Sequence, residues 1–242
     1  MLSSAEVTET APGFPRSQTS AAYIRLRRDI LAGVFAPGEK LKIADLAAAV
    51  EVSPGAIREA LSRLVPDQLV VSRDQKGFVV APLSIEDLED LTNLRCDVEA
   101  IALRRSVALG DDGWEAAVLA AAHRLRRTEI KSATYRALTP EWVERHAAFH
   151  AALVSACGSR RLKELHAQLY QQSERYRGLS FHVEGEEDEA GGRDIVGEHQ
   201  LLVDAALDRD ADRLVDLAVG HLRQTTARIV KMAQTLPQLK PA

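Results

Sequence analysis

Two histidines four residues apart, His146 and His150, lie in the run Glu144-Arg145-His146-Ala147-Ala148-Phe149-His150. On a helix that spacing turns both imidazoles the same way, and neutral imidazole is a good ligand for zinc, nickel or copper. Two more histidines follow late in the chain, His199 after Glu198 and His221 before Leu222. Taken singly, each fits a surface or hydrogen-bonded core histidine equally well. A second chemistry is written near the front, in Val52-Ser53-Pro54-Gly55-Ala56-Ile57-Arg58-Glu59-Ala60-Leu61-Ser62-Arg63-Leu64. There Ile57, Ala60, Leu61 and Leu64 recur at i, i+3, i+4 and i+7 and form one buried stripe. The opposite face carries Gly55, Arg58 and Ser62. A small residue permits close approach, and the planar fork of an arginine suits the base edges of a DNA major groove. By itself the run fits an ordinary amphipathic helix pair as well.

These residues need elements to hold them. Ser53 can cap its helix and Pro54 suits the first turn, where its missing N–H costs nothing. A short apolar helix, Ile43 to Val50, precedes that cap across a tight break. Upstream, Tyr23 to Ala32 reads as an amphipathic helix stopped by Gly33, and Pro37-Gly38 then re-aims the chain. Downstream, the β-branched runs Gln68–Ser72 and Phe78–Ala81 flank Arg73-Asp74-Gln75-Lys76-Gly77, a basic hairpin tip. Three helices and such a hairpin describe a winged helix.

Residues 21–82 resemble the DNA-binding domain of the GntR family of bacterial transcription regulators. The matching residues are Gly33, Pro37-Gly38-Glu39-Lys40-Leu41, Leu46-Ala47, Val52-Ser53 and Arg58-Glu59-Ala60-Leu61. The resemblance implies that Arg58 reads bases, while Ser53, Lys76, Lys42 and the backbone at Gly55 and Gly77 hold or approach phosphates, which position without specifying. One departure stands out. Family members usually place a DNA-contacting arginine after the capping serine, and here that residue is Pro54.

After Pro82 the pattern is helical throughout. Ser84-Ile85-Glu86-Asp87 reads as a capping box, opening a helix that continues to about Leu109. Gly110-Asp111-Asp112 stops it and caps the next, to about Thr128. Thr139-Pro140 starts a helix ending near Cys157-Gly158, and Ser159 starts one lasting to about Leu179. His182 to Gly192, with five acidic residues and three glycines, reads as a solvated loop. Helices from about Arg193 to Leu207 and from Asp210 to Met232 complete the set. Six to seven such helices form a bundle with sites built from inward-facing side chains.

This second part resembles the FCD effector domain of the FadR-type branch of the same family, over about residues 84–232. That signature has Asp-x-x-Phe-His on one helix, Glu-His on a later one and His-Leu on the last, and in many members three histidines and the aspartate bind a divalent metal. His150, His199 and His221 carry over directly, and His146 stands where the family has aspartate. The resemblance therefore implies a four-histidine site biased to zinc or nickel, with a local charge of about +2 instead of +1 around a divalent ion, or, with His146 turned away, a three-ligand site with more open positions. Arg95 and Glu99 match the family's Arg-x-x-x-Glu. They form either an i, i+4 ion pair worth a few tenths of a kcal/mol or, with Arg95 forking onto a carboxylate, part of an effector pocket.

Composition sets outer bounds. The 242 residues have room for two domains, and the net charge of −4 is unlike that of a nucleic-acid coat. Residues 1–82 hold ten Lys+Arg against nine Asp+Glu, while the rest holds 21 against 26. A near-neutral head on an acidic body suits site-specific binding through few contacts. No apolar run is long enough to cross a bilayer, the N-terminal segment lacks a secretory core, and Cys96 and Cys157 show no metal or disulfide spacing, so a cytoplasmic protein is expected. No HExxH motif, nucleophile elbow or phosphate loop supports catalysis. The expected fold is mainly α, a winged helix-turn-helix (three helices plus a β-hairpin) joined to an all-helical bundle. Its expected parts are a flexible arm 1–19, the DNA-binding domain 20–82, the effector and dimerisation domain 83–233 and a tail 234–242. The expected function is a homodimeric regulator, in this family most often a repressor, of a palindromic double-stranded operator, released by a small carboxylate at the metal. Two alternatives remain open, a metal-dependent enzyme with a DNA-binding appendage and a winged-helix protein whose histidines only brace the bundle.

Overall fold

The computed structural model describes residues 17–73, 77–130, 138–181 and 193–233. Lys76, the acidic loop from His182 to Gly192, the arm 1–16 and the tail 234–242 lie outside them. The chain divides into two compact units, one made of 1–30 with 38–81 and the other of 31–37 with 82–242.

In the first unit, α1 (Gln18–Leu31) buries Ala22, Leu26 and Ile30, one residue per turn. It begins five residues earlier than its periodicity suggests. Ser17 supplies the start by accepting the Ser20 N–H at 3.2 Å, so residues 17–19 belong to the folded unit and not to the expected arm. The short helix α2 (Ile43–Val50) buries Leu46 and Ala47 and ends at Glu51, whose φ of +58° turns the chain. Then α3 (Pro54–Leu64) starts as its sequence requires, with Ser53 Oγ accepting the Ala56 N–H at 3.2 Å. Ile57, Ala60, Leu61 and Leu64 are fully buried. The expected hairpin forms from β2 (Val70–Arg73) and β3 (Gly77–Val80), antiparallel with Arg73 opposite Gly77. A third strand, β1 (Lys40–Leu41), pairs antiparallel to β3 and makes the sheet order β1-β3-β2. Two residues are too few to show a period of two, so the sequence reading saw only the turn before them.

The second unit is a bundle of α4 (Ile85–Leu109), α5 (Asp112–Arg126), α6 (Pro140–Leu153), α7 (Arg160–Phe181), α8 (Ile195–Leu207) and α9 (Ala211–Ala233). Ser84, Asp111, Thr139, Ser159 and Asp194 each accept a backbone N–H of the following first turn, the capping chemistry these residue types favour. Helix α6 stops at Leu153, short of the expected Cys157-Gly158. The Ser155 hydroxyl donates to the Ala152 carbonyl at 2.8 Å, which competes with continued helix, and Gly158 turns the chain at φ +70°. Leu103, Val118, Phe149, Leu153, Leu202 and Leu214 form the dry centre of the bundle. Trp114 closes one end of it. Its indole N–H is shared between the Ala152 and Leu153 carbonyls at 3.1 and 3.2 Å, and a Cβ at Gly110 would collide with its ring.

Candidate metal centre and DNA-reading helix

Histidines from three helices converge inside the bundle. His146 and His150 come from α6, His199 from α8 and His221 from α9, and one ring nitrogen of each lies within 4.8 Å of the others. All four side chains are buried. Trp142 stacks on His146 at 4.5 Å, and Phe149 sets its edge against His150 and His199. Burial penalises the charged imidazoles, and the other rings and nearby arginines add to it. His146 and His150 are therefore held well below the usual histidine range, and His221 is also lowered. His199 falls to about 3. Neutral imidazoles are the form a metal takes.

Two observations test the fit to a divalent ion. His199 Nε2 is buried without a hydrogen-bond partner among the described residues, which leaves a lone pair to be satisfied. On His221, Nδ1 meets Glu198 Oε2 at 2.7 Å, the outer carboxylate contact that fixes a ligand's tautomer and leaves the other nitrogen free. Burial raises the Glu198 carboxyl, but hydrogen bonds from His221 and Arg193 outweigh it, and it drops to about 2. Arg193 grips that carboxylate with Nε and Nη2, both at 2.6 Å. The donor set fits. Protein groups also compete for the nitrogens of His146: the Tyr170 hydroxyl is 2.6 Å from Nδ1, and Arg177 Nη1 is 2.7 Å from Nδ1 and 3.5 Å from Nε2. Its Nε2 stands 3.2 Å from that of His150, so the histidine in the aspartate position faces the cluster.

Arg95 and Glu99 part company. No Arg95–Glu99 ion pair forms; Glu99 is 2% exposed and meets His166 Nε2 of α7 at 2.8 Å. Arg95 donates to Ser173 Oγ at 2.7 Å and lies over the Tyr170 ring. The sequence reading missed the contribution of α7, where His166, Tyr170, Glu174 and Arg177 follow one another at helical spacing along one side. Arg177 is buried, pairs with Glu174 and reaches the Trp142 and Tyr170 rings.

In the first unit the expected DNA-facing residues of α3 are solvent-exposed. Ser53, Gly55 and Arg58 share that exposure, and only Ser53 Oγ lies within 4 Å of where a Gly55 Cβ would be. Lys42 is exposed and 3.8 Å from Asp45. Gly77 opens β3 at φ +82°, a conformation glycine adopts without strain. Arg63, beside this face, lies over the Tyr23 ring at 4.6 Å.

Comparison with known proteins bears on both units. Residues 18–80 match the bacterial regulatory proteins of the gntR family, and residues 90–224 match the FCD domain. The chain belongs to the GntR family, in the group that carries an FCD domain. It is a transcription regulator with a DNA-binding winged helix. Among curated relatives, the uncharacterized HTH-type transcriptional regulator BphR of Paraburkholderia xenovorans is 40% identical over 87% of this chain and 84% of its own. The HTH-type transcriptional repressor GlaR of Escherichia coli is 38% identical over 83% of this chain and 90% of its own. Of solved structures, E. coli McbR/YncC superposes with a TM-score of 0.71 over 89% of this chain and 98% of its own, at 19% identity, and so shares the fold. A GntR-type regulator of Rhodococcus sp. RHA1 gives 0.65 over 88% and 98%, at 25% identity. No described helix of this GntR-family regulator is long and apolar enough to cross a membrane.

Proposed function

We propose that this regulator is a homodimeric repressor of a palindromic operator, and that its DNA affinity is set by a small carboxylate bound beside a divalent metal, zinc or nickel, in the bundle. The observation carrying the metal part is the convergence of four buried imidazoles, one with an orphaned nitrogen. His146, His150, His199 and His221 would hold the ion, with Glu198 orienting His221. Bound there, the ion would supply a Lewis-acidic, positively charged point for an anion. The chain's own residues extend that field: Arg95 donates to Ser173 and feels the nearby Glu174 charge without a close ion pair among the described residues, and Arg177 lies against His146. Arg95 is the effector anchor, forking onto a carboxylate. Glu99, turned to His166, orients that ring and does not touch the effector.

Operator reading falls to Arg58, set on the exposed side of α3 opposite a fully buried stripe. Ser53, Gly55, Lys42, Lys76 and Gly77 serve phosphates. Two winged heads on a symmetric dimer read two equal half-sites. Repression is inferred from the relative named as a repressor. An effector shifts DNA binding only as far as its affinities for the two states differ.

The test uses purified full-length protein, DNA from upstream of its own coding region and fluorescence anisotropy, with and without zinc. Saturable binding that a panel of small carboxylates reverses only in zinc-loaded protein supports the proposal. His199→Ala retains DNA binding and loses the reversal. Reversal that survives in the chelated protein and in His199→Ala removes the metal from the mechanism.

A further inference from the structure

A cavity of about 370 Å³ opens between α5, α6 and α8, and His221 is not among its lining residues. That volume lies in the range of small-molecule pockets. Leu119, Ala122, Leu125, Ile130, Ile195 and Val203 make its walls, and Trp142 and His199 border it. Two of its apolar residues remain open to solvent, Leu119 at 47% and Val196 at 49%. Exposed apolar surface lining a concavity marks a binding site more often than chance exposure does. The ionisable side chains in its described lining are basic only: Arg126 and His123, both solvent-exposed and one turn apart on α5, with no carboxylate among the described lining residues. Neither side chain has an ion-pair partner among the described residues. Among the described residues the lining is therefore largely apolar, with its basic side chains exposed to solvent.

We propose that this cavity is a second ligand site, distinct from the histidine cluster, for a hydrophobic monocarboxylic acid. The hydrocarbon part would lie against Leu119, Ala122 and Val203, and the carboxylate would face Arg126 and His123. Unlike the metal-centred effector site, this one needs no ion. It borders the cluster through Trp142, which stacks on His146, and through His199 itself.

The experiment uses full-length protein freed of metal by chelation, with octanoate as the probe and isothermal titration as the readout. Butyrate and 1-octanol are the comparison ligands, one lacking chain length and the other the charge. Octanoate is expected to bind saturably at one site per chain, with butyrate and 1-octanol each at least tenfold weaker. Arg160→Ala, exposed on α7 and not lining the cavity, leaves octanoate affinity within twofold. Ala122→Phe, which fills the hollow, and Arg126→Glu, which reverses the charge at the opening, each weaken it at least tenfold. Should Ala122→Phe fail to fold, the exposed Arg126→Glu and Leu119→Glu variants carry the test. Equal octanoate affinity in wild type and these cavity variants overturns the proposal, as does the absence of saturable octanoate binding to the chelated protein. The metal-centred reading stands or falls separately, since no zinc is present in the assay.

Discussion

The exposed side of α3 and the buried cluster between α6, α8 and α9 place their functional groups in opposite conditions. On α3, Arg58 and Gly55 stand in water, and the apolar stripe is fully buried on the opposite side. In the bundle, the imidazoles are themselves part of the packed interior, with Trp142 and Phe149 against their rings. A surface site can lose a side chain at little cost to folding. A buried polar cluster couples binding to stability, because an unsatisfied buried group costs about 1–3 kcal/mol. The two regions should therefore answer mutation and metal removal in different ways.

The largest expected contrast is thermal. Zinc held at about a thousandfold above its dissociation constant should stabilise the protein by about 4 kcal/mol, read as a fall in melting temperature on chelation. His150→Ala should erase that difference, and Arg58→Ala should keep it in full. A metal-free protein whose melting does not respond to zinc breaks the contrast. Next comes Glu198→Gln, which keeps the shape but weakens the grip on His221; metal affinity by competition titration should drop about 10–100-fold. Of similar or smaller size is Arg58→Ala, with a loss of about 1–3 kcal/mol in operator affinity and relaxed base preference at one position per half-site. Equal loss on operator and random DNA contradicts the base-reading role. The smallest effect belongs to Ser53→Ala. Removing this cap should lower stability by about 1 kcal/mol in chemical denaturation without altering zinc binding.

How far each region could be foreseen follows the same divide. Helix α3 was legible because everything that makes it is local: a capping serine, a first-turn proline and a stripe at i, i+3, i+4 and i+7. The histidines were legible as a set through their resemblance to a known pattern, and the helix caps of the bundle through residue type. Helix α7 was not. A row of polar residues such as His166, Tyr170, Glu174 and Arg177 reads from spacing alone as a solvated face, yet Tyr170 and Arg177 are buried against the cluster. Glu99 misled for a related reason. Its i, i+4 relation to Arg95 suggested a local pair, while its partner is His166, 67 residues away. The strand β1 escaped notice because its only signal is its pairing with β3.

Local chemistry therefore settled where helices begin, which face of α3 is apolar and which residue types could ligate a metal, since caps and periodicity act over a few residues. Only the packed chain decided that four imidazoles share one 4.8 Å neighbourhood, that His146 turns inward to join them, and that a hollow lined by exposed basic side chains adjoins His199. Those outcomes depend on contacts between helices far apart in the chain, and no window along the sequence contains both partners.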